Sequence, residues 1–288
     1  MKMNKSLKKI IVFLKNEFLY GGHLQCLSLI SVTWAATFLM GISSEWSMLA
    51  IIYLSSYIAY AYNRYQEIEE DSLDNVERTN HLRKYQKKIP FLAMTAFIIM
   101  LLILLPKNNV ISSIYILFIL VLGFFYTQWF KPATKKIPLF KNISVSAAFV
   151  LGVGFIFPYN SINPIYFEKE ILFIGVFIFL RILFMQVFLD LKDCQGDSVR
   201  KLKTMAAMRG KKFTLNFLKL AFPISMIPLI AGAICGFLPM IAFAILPALF
   251  FDYLAINLIE KNNQAGYLVQ GACAMSWPAL LILSSVLF

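Results

Sequence analysis

Residues 62–71 read YNRYQEIEED and follow directly on the apolar run SMLAIIYLSSYIAYA at 47–61. A membrane segment that ends in Lys or Arg is ordinary, because basic side chains gather on the cytoplasmic flank. An exit through a ladder of acids is costly unless something offsets the carboxylates. Asn63, Glu67 and Asp71 stand four residues apart. On a helix that continues past the apolar run they fall along one slowly drifting face, a stripe of oxygen-bearing side chains. Taken alone, the stripe is explained equally well as a solvated charged loop.

The rest of the chain supplies the context. Of 288 residues, 59% are hydrophobic and 15% charged, against about half and about a quarter in soluble domains, so the chain reads as an integral membrane protein. The net charge of +12 would suggest nucleic acid in a soluble protein. Here it fits Lys and Arg on loops facing anionic lipid, and no nucleic-acid partner is expected. Cys26, Cys194, Cys235 and Cys273 form no CxxC pair, which speaks against a zinc site or a thiol redox motif.

Spanning the hydrocarbon core takes about 20 apolar residues. Runs of that order lie near 24–42, 47–63, 89–106, 109–130, 139–158, 171–190, 213–235, 238–257 and 266–287. The expected fold is therefore all-α, an integral membrane protein with nine transmembrane helices in one bundle and a single domain over 1–288. Residues 1–23 read as a basic amphipathic segment at the interface, with Ile10, Ile11, Phe13, Leu14 and Phe18 toward lipid. The alternative is an early extension of the first span.

Charge orients the bundle. Lys and Arg crowd before span 1, between spans 2 and 3 (Arg64 to Lys88), around the 4–5 connection (Lys131, Lys135, Lys136, Lys141) and between 6 and 7 (Lys192 to Lys212), whereas the opposite loops hold Lys107 and Lys169. This places the N-terminus inside and the C-terminus outside. Spans 2 and 6 then both run inward and open on the cytoplasm.

The end of span 6 repeats the pattern. Residues 188–197 read FLDLKDCQGD, with Asp190, Asp193 and Asp197 at i, i+3 and i+7, one face if the helix continues. Together the two stretches hold Glu67, Glu69, Glu70, Asp71, Asp74, Glu77, Asp190, Asp193 and Asp197, nine of the fifteen acids, a concentration that scattered solubilising charge does not explain. Carboxylate and amide oxygens suit Mg²⁺ or Ca²⁺, and His23 and His81, the only histidines, have no partner at ligand spacing for a softer metal. Basic residues follow each stripe, Arg78, Arg83 and Lys84 after the first and Arg200, Lys201, Lys203 and Arg209 after the second. Acid then base suits a metal–diphosphate, in which carboxylates hold the metal and cations take the remaining phosphate oxygens.

On these residues the chain resembles the UbiA superfamily of intramembrane prenyltransferases, known for nine helices and two aspartate-rich motifs, NDxxDxxxD and DxxxD. The first is present as Asn63-Arg64-x-x-Glu67-x-x-x-Asp71, with Arg64 and Glu67 replacing the usual acids, and the second as Asp193 and Asp197, with Asp190 just before. GDSVRKLKTMAAMRG and FFYTQWFKPATKKIPLFKN are similar to the family's stretches after the second motif and after helix 4, with Lys135 and Lys136 at the basic pair.

The resemblance implies Mg²⁺ and a polyprenyl diphosphate at the cytoplasmic mouth, the isoprenoid tail among the helices in contact with membrane lipid, and capture of the allylic cation by a lipophilic, often aromatic, acceptor. It implies Asn63, Glu67, Asp71, Asp190, Asp193 and Asp197 as metal ligands, with Asp71, Asp193 and Asp197 the catalytic set, and Arg64, Arg78, Lys135 and Lys203 on the diphosphate. Tyr62, Tyr126 and Phe188 are the aromatic candidates against the prenyl group, where a π face steadies a cation. A bacterial or archaeal inner membrane is the expected location. Two other readings stay open: a membrane terpene cyclase that needs no acceptor, kept by the altered first motif, and a small cation-coupled transporter, disfavoured because the acids crowd one rim instead of the midplane.

Overall fold

The apolar runs fold as helices because a backbone in lipid must satisfy its own hydrogen bonds. A computed structural model describes residues 5–69, 72, 75–107 and 109–287, and no strand occurs among them. The helices are α1 (Lys5–Tyr20), α2 (His23–Leu39), α3 (Trp46–Glu67), α4 (Val76–Arg83), α5 (Ile89–Leu104), α6 (Val110–Phe125), α7 (Phe140–Gly154), α8 (Ile156–Tyr159), α9 (Glu168–Leu189), α10 (Cys194–Val199), α11 (Met205–Ser225), α12 (Ile227–Ile234), α13 (Ala248–Glu260), α14 (Ala265–Ala272) and α15 (Ser276–Leu287).

Seven stretches are helical, long and apolar enough to cross a membrane: Gln86–Lys107, Val110–Phe130, Phe140–Tyr159, Pro164–Leu189, Met205–Ile234, Met240–Glu260 and Ala265–Leu287. They correspond to expected spans three to nine. The first two expected spans differ. α2 has 17 residues and reaches the length of a span only together with α1, across a 58° bend. α3 is 22 residues long, about 33 Å at 1.5 Å per residue, but five tyrosines, three serines and the polar end NRYQE dilute its apolar character. The polar end remains helical through Glu67, so the helix carries the start of the acidic stripe past the apolar run.

The N-terminal segment is a helix with Ile10, Ile11, Leu14 and Phe18 exposed, whereas Phe13, expected toward lipid, stands against the rings of His81 and Tyr85 at 5.3 Å and 6.3 Å. Its polar side docks on the segment that follows α3. Glu17 accepts from His81 Nε2 at 2.8 Å and from the Tyr85 hydroxyl at 2.5 Å, and the Tyr20 hydroxyl donates to Glu77 at 2.5 Å. α11 is broken at Gly210, where φ 79° and ψ 167° lie in a region open in practice only to glycine.

One apolar core joins α2, α3, α5, α7 and α9 to the C-terminal helices, with Val32, Met48, Ile51, Met100, Phe155 and Phe177 fully enclosed. Inside the bundle, Arg181 of α9 meets Asp252 of α13 at 2.7 Å and 3.1 Å. Gln270 donates to the same carboxylate at 2.9 Å. Two mid-helix charges are thereby held as a hydrogen-bonded pair.

Candidate active site

The first stripe is formed by α3. Asn63 Nδ2 donates to Glu67 Oε2 at 3.0 Å, the contact that i, i+4 spacing allows. Asn63 Oδ1 accepts from Thr127 at 3.3 Å, which ties the stripe to Tyr126–Phe130, where the last turn of α6 widens into a π turn. Gln128 of the same turn donates to the Tyr62 hydroxyl, and Tyr62 stands edge-on to Phe124 at 4.8 Å. Glu69 is exposed and pairs with Arg83, whereas Glu67 is half-buried. Asp71 lies outside the described residues.

The second stripe departs from the single helical face expected for it. α9 ends at Leu189, and Leu191, Lys192 and Asp193 donate their amides three residues back, to Phe188, Leu189 and Asp190. Tight turns of this kind commonly close a helix. Asp190 caps α9, Asp193 opens α10, and Asp197 lies inside α10. The three are gathered by a turn, and each meets a different part of the protein.

Asp190 is buried and both its oxygens are engaged. Lys141 Nζ donates to Oδ1 at 2.9 Å and Asn142 Nδ2 to Oδ2 at 2.7 Å. Asp193 Oδ1 accepts from Asn75 Nδ2 at 2.8 Å, so the chain just after the first motif is bonded to the second. Asp197 Oδ1 accepts from Arg200 Nη2 at 3.4 Å.

The electrostatics follow from this packing. Burial raises the Asp197 carboxyl, the Asp190 and Asp193 charges add to the effect, and Lys141 offsets only part of it, leaving the group at about 6. Burial acts on Asp193 as well, but Lys141, Arg78, the Asn75 bond and Arg64 outweigh it and hold that carboxyl below its ordinary range. Arg64 and Arg78, both expected on a diphosphate, thus act on an aspartate of the opposite motif. Tyr126 lies within the fields of Lys141, Glu67 and Asp190, between the two stripes.

Other expected residues are placed differently. Lys135 is exposed at the end of the α6–α7 connection. Lys203 turns its ammonium to the Lys136 carbonyl at 2.9 Å, and its amide donates to Thr134 O at 3.0 Å, so it ties two loops together. Phe188 is fully buried beside Leu191, Leu215 and Ile256 and edge-on to Tyr267, a core position. Asn75, Lys141 and Asn142 were not among the expected site residues. The signal available was FKN at 140–142, a polar pair opening an otherwise apolar helix.

The donor set can be tested for a hard cation. Among the described residues no three His, Cys, Asp or Glu side chains are gathered as a metal cage. Mg²⁺ does not need one, since it usually takes one or two carboxylates, water and substrate phosphate. Asp197 Oδ2, Asn75 Oδ1 and Asn142 Oδ1 are buried acceptors without a hydrogen-bond partner among the described residues, and one of them belongs to, or is bonded beside, each aspartate of the second motif. Buried oxygens left so are costly. A hard cation bound there would satisfy them.

The model of the UbiA prenyltransferase family matches residues 28–278. Among solved structures, the apo structure of a UbiA homolog from Aeropyrum pernix K1 matches with a TM-score of 0.69 at 15% identity, over 91% of this chain and 98% of that one. At that identity the likeness shows a shared fold. A structure of digeranylgeranylglyceryl phosphate synthase matches with a TM-score of 0.48 at 14% identity, over 94% of this chain and 96% of that one. No curated protein sequence matches the chain significantly.

Proposed function

The chain belongs to the UbiA prenyltransferase family, and on that premise we propose that it is a Mg²⁺-dependent intramembrane prenyltransferase that ionises a polyprenyl diphosphate and delivers the prenyl group to a lipophilic, aromatic acceptor. The observation that carries this reading is the Asn75–Asp193 bond at 2.8 Å. It joins two acidic stretches 118 residues apart in sequence into one rim, with Arg64 and Arg78 acting across it.

Asp193, Asp197, Asn63, Glu67 and Asp71 are the proposed metal-holding set, with the Asn75 and Asn142 amide oxygens beside them. Bound there, Mg²⁺ would neutralise charge building on the departing diphosphate. Arg64 and Arg78 orient the diphosphate and share its charge, with Lys135 and Lys203 at the edge of the rim. Tyr62 and Tyr126 present aromatic surface next to the stripes, and the apolar bundle keeps water from the allylic cation. The bundle is proposed to have nine spans, with the N-terminus inside, the C-terminus outside and the rim facing the cytoplasm.

Arg64 and Glu67 in place of the family's acids favour a second reading, an acceptor-independent terpene cyclase. Purified protein incubated with prenyl diphosphates of several lengths, with and without an aromatic acceptor, separates the two. Diphosphate release that requires acceptor supports the transferase, and a cyclic product without acceptor supports the cyclase. Either activity should vanish in EDTA and return with Mg²⁺. Asp71→Ala, Asp193→Ala and Asp197→Ala should each remove most of it, and Glu69→Ala, at an exposed position paired with Arg83, should be mild. Full turnover in EDTA would end the metal reading.

A further inference from the structure

Lys141 lies in the first turn of α7, an unfavourable place for a cation, because the positive end of the helix dipole is there. Its side chain is 30% exposed, so water compensates it only in part. Acids hold it instead. Its ammonium donates to Asp190 at 2.9 Å and feels the charges of Asp190, Asp197 and Asp193 together.

The local backbone is arranged to keep it there. The residue before the helix, Leu139, has φ 59°, a left-handed conformation that is unfavourable for a bulky residue. The Leu139 amide donates to Lys203 O at 3.0 Å, and the Lys203 amide donates to Thr134 O at 3.0 Å. The loop after the second acidic motif therefore fixes the start of α7 and, with it, Lys141 and Asn142 on Asp190.

We propose that Lys141 is a tethered cation of the second motif: it takes Asp190 out of the metal-ligand set, so that the Asp190–Asp193–Asp197 group accepts a single divalent ion. With both Asp190 oxygens engaged by Lys141 and Asn142, Asp193 and Asp197 remain, and one or two carboxylates are what a single Mg²⁺ usually takes. Asp190 is then a positioning residue, acting through Lys141 and Asn142, and the metal is left to Asp193 and Asp197. The inference rests on the reading that the rim holds a divalent cation.

The test is titration of the purified full chain with Mn²⁺, without prenyl diphosphate, with free Mn²⁺ counted by its electron paramagnetic resonance spectrum. Lys141→Met should bind one more Mn²⁺ per chain than the unsubstituted protein, or the same number about tenfold more tightly, since a freed carboxylate adds a full charge beside the ion. Lys141→Arg, which keeps the charge, should match the unsubstituted protein. K141M/D190N, which removes both charges, should return to it. If Lys141→Met does not fold, Lys141→Gln gives the same reading. Identical Mn²⁺ binding with and without the Lys141 charge, or Lys141→Arg behaving like Lys141→Met, overturns the inference while leaving the metal site standing. No Mn²⁺ binding by the unsubstituted protein overturns the metal reading and this inference with it.

Discussion

Asp197 shows what a single side chain reveals about the rim. Its carboxyl is buried at 1% exposure, and one oxygen has no hydrogen-bond partner among the described residues. Burial is the main cause of its rise to about 6, with Asp190 and Asp193 adding to it. A carboxyl raised in the folded state stabilises the fold while protonated. Its contribution is complete below the ordinary value near 4, and is lost as pH rises through about 6. Asp193 is shifted the other way, so its contribution is lost only in stronger acid, a separate window. In chelator, thermal stability should therefore fall between about pH 4 and about pH 6, and Asp197→Asn should flatten that fall. Added Mg²⁺ competes with the proton, so it should raise the melting temperature more at neutral pH than at pH values below the Asp197 transition. Equal Mg²⁺ stabilisation at both would mean that Asp197 does not hold the ion.

At the scale of elements, what spacing could reveal was local. The seven apolar spans follow from the length of unbroken apolar runs and the Asn63–Glu67 contact from i, i+4 spacing, because each depends only on residues near one another in sequence. The end of α9 at Leu189 did not show, since i, i+3, i+7 spacing fits a helix and the observed turn alike. Nor did Asn75 on Asp193 or Lys141 on Asp190, pairs 118 and 49 residues apart, because spacing carries no information about which helix ends meet. Phe188 lies next to the motif, and the structure adds that it is buried and packed with α11 and α13, neighbours that sequence distance did not reveal. Arg181 and Asp252 lie inside α9 and α13, and the structure makes them partners linking the two helices. Removing one member of a buried pair strands the other. Arg181→Met should cost roughly 3–5 kcal/mol of stability, and R181M/D252L should recover most of it. Unfolding in detergent measures both. A single variant no worse than the double would show that the pair is not mutually dependent.

For the whole molecule, the question is which way the rim faces. The segment from α11 through α12 starts beside the second acidic motif and runs to Ile234, so the residues after Ile234 lie at the far end of the bundle from the rim. Cys235 is the first of them and is exposed, whereas Cys26 and Cys273 are buried and Cys194, next to Asp193, is half-buried. The chain thus carries its own topological probe. Basic residues flank the acidic ends of α3 and α9 (Arg78, Arg83 and Lys84 on one, Arg200, Lys201 and Lys203 on the other), and Lys169 stands on the opposite side. On the positive-inside rule such an asymmetry is the basis for the proposal that the rim faces the cytoplasm, from which the proposed prenyl diphosphate would approach the clustered cations while its tail enters the bundle. Cys235 should then face outward, and a membrane-impermeant maleimide applied to intact cells should label it. Cys235→Ser should abolish that labelling, and permeabilisation should add little to it. Labelling that appears only after permeabilisation would turn the rim to the outer face. The positive-inside argument would then fail for this bundle, and the diphosphate would have to reach Asp193 and Asp197 from outside the cell.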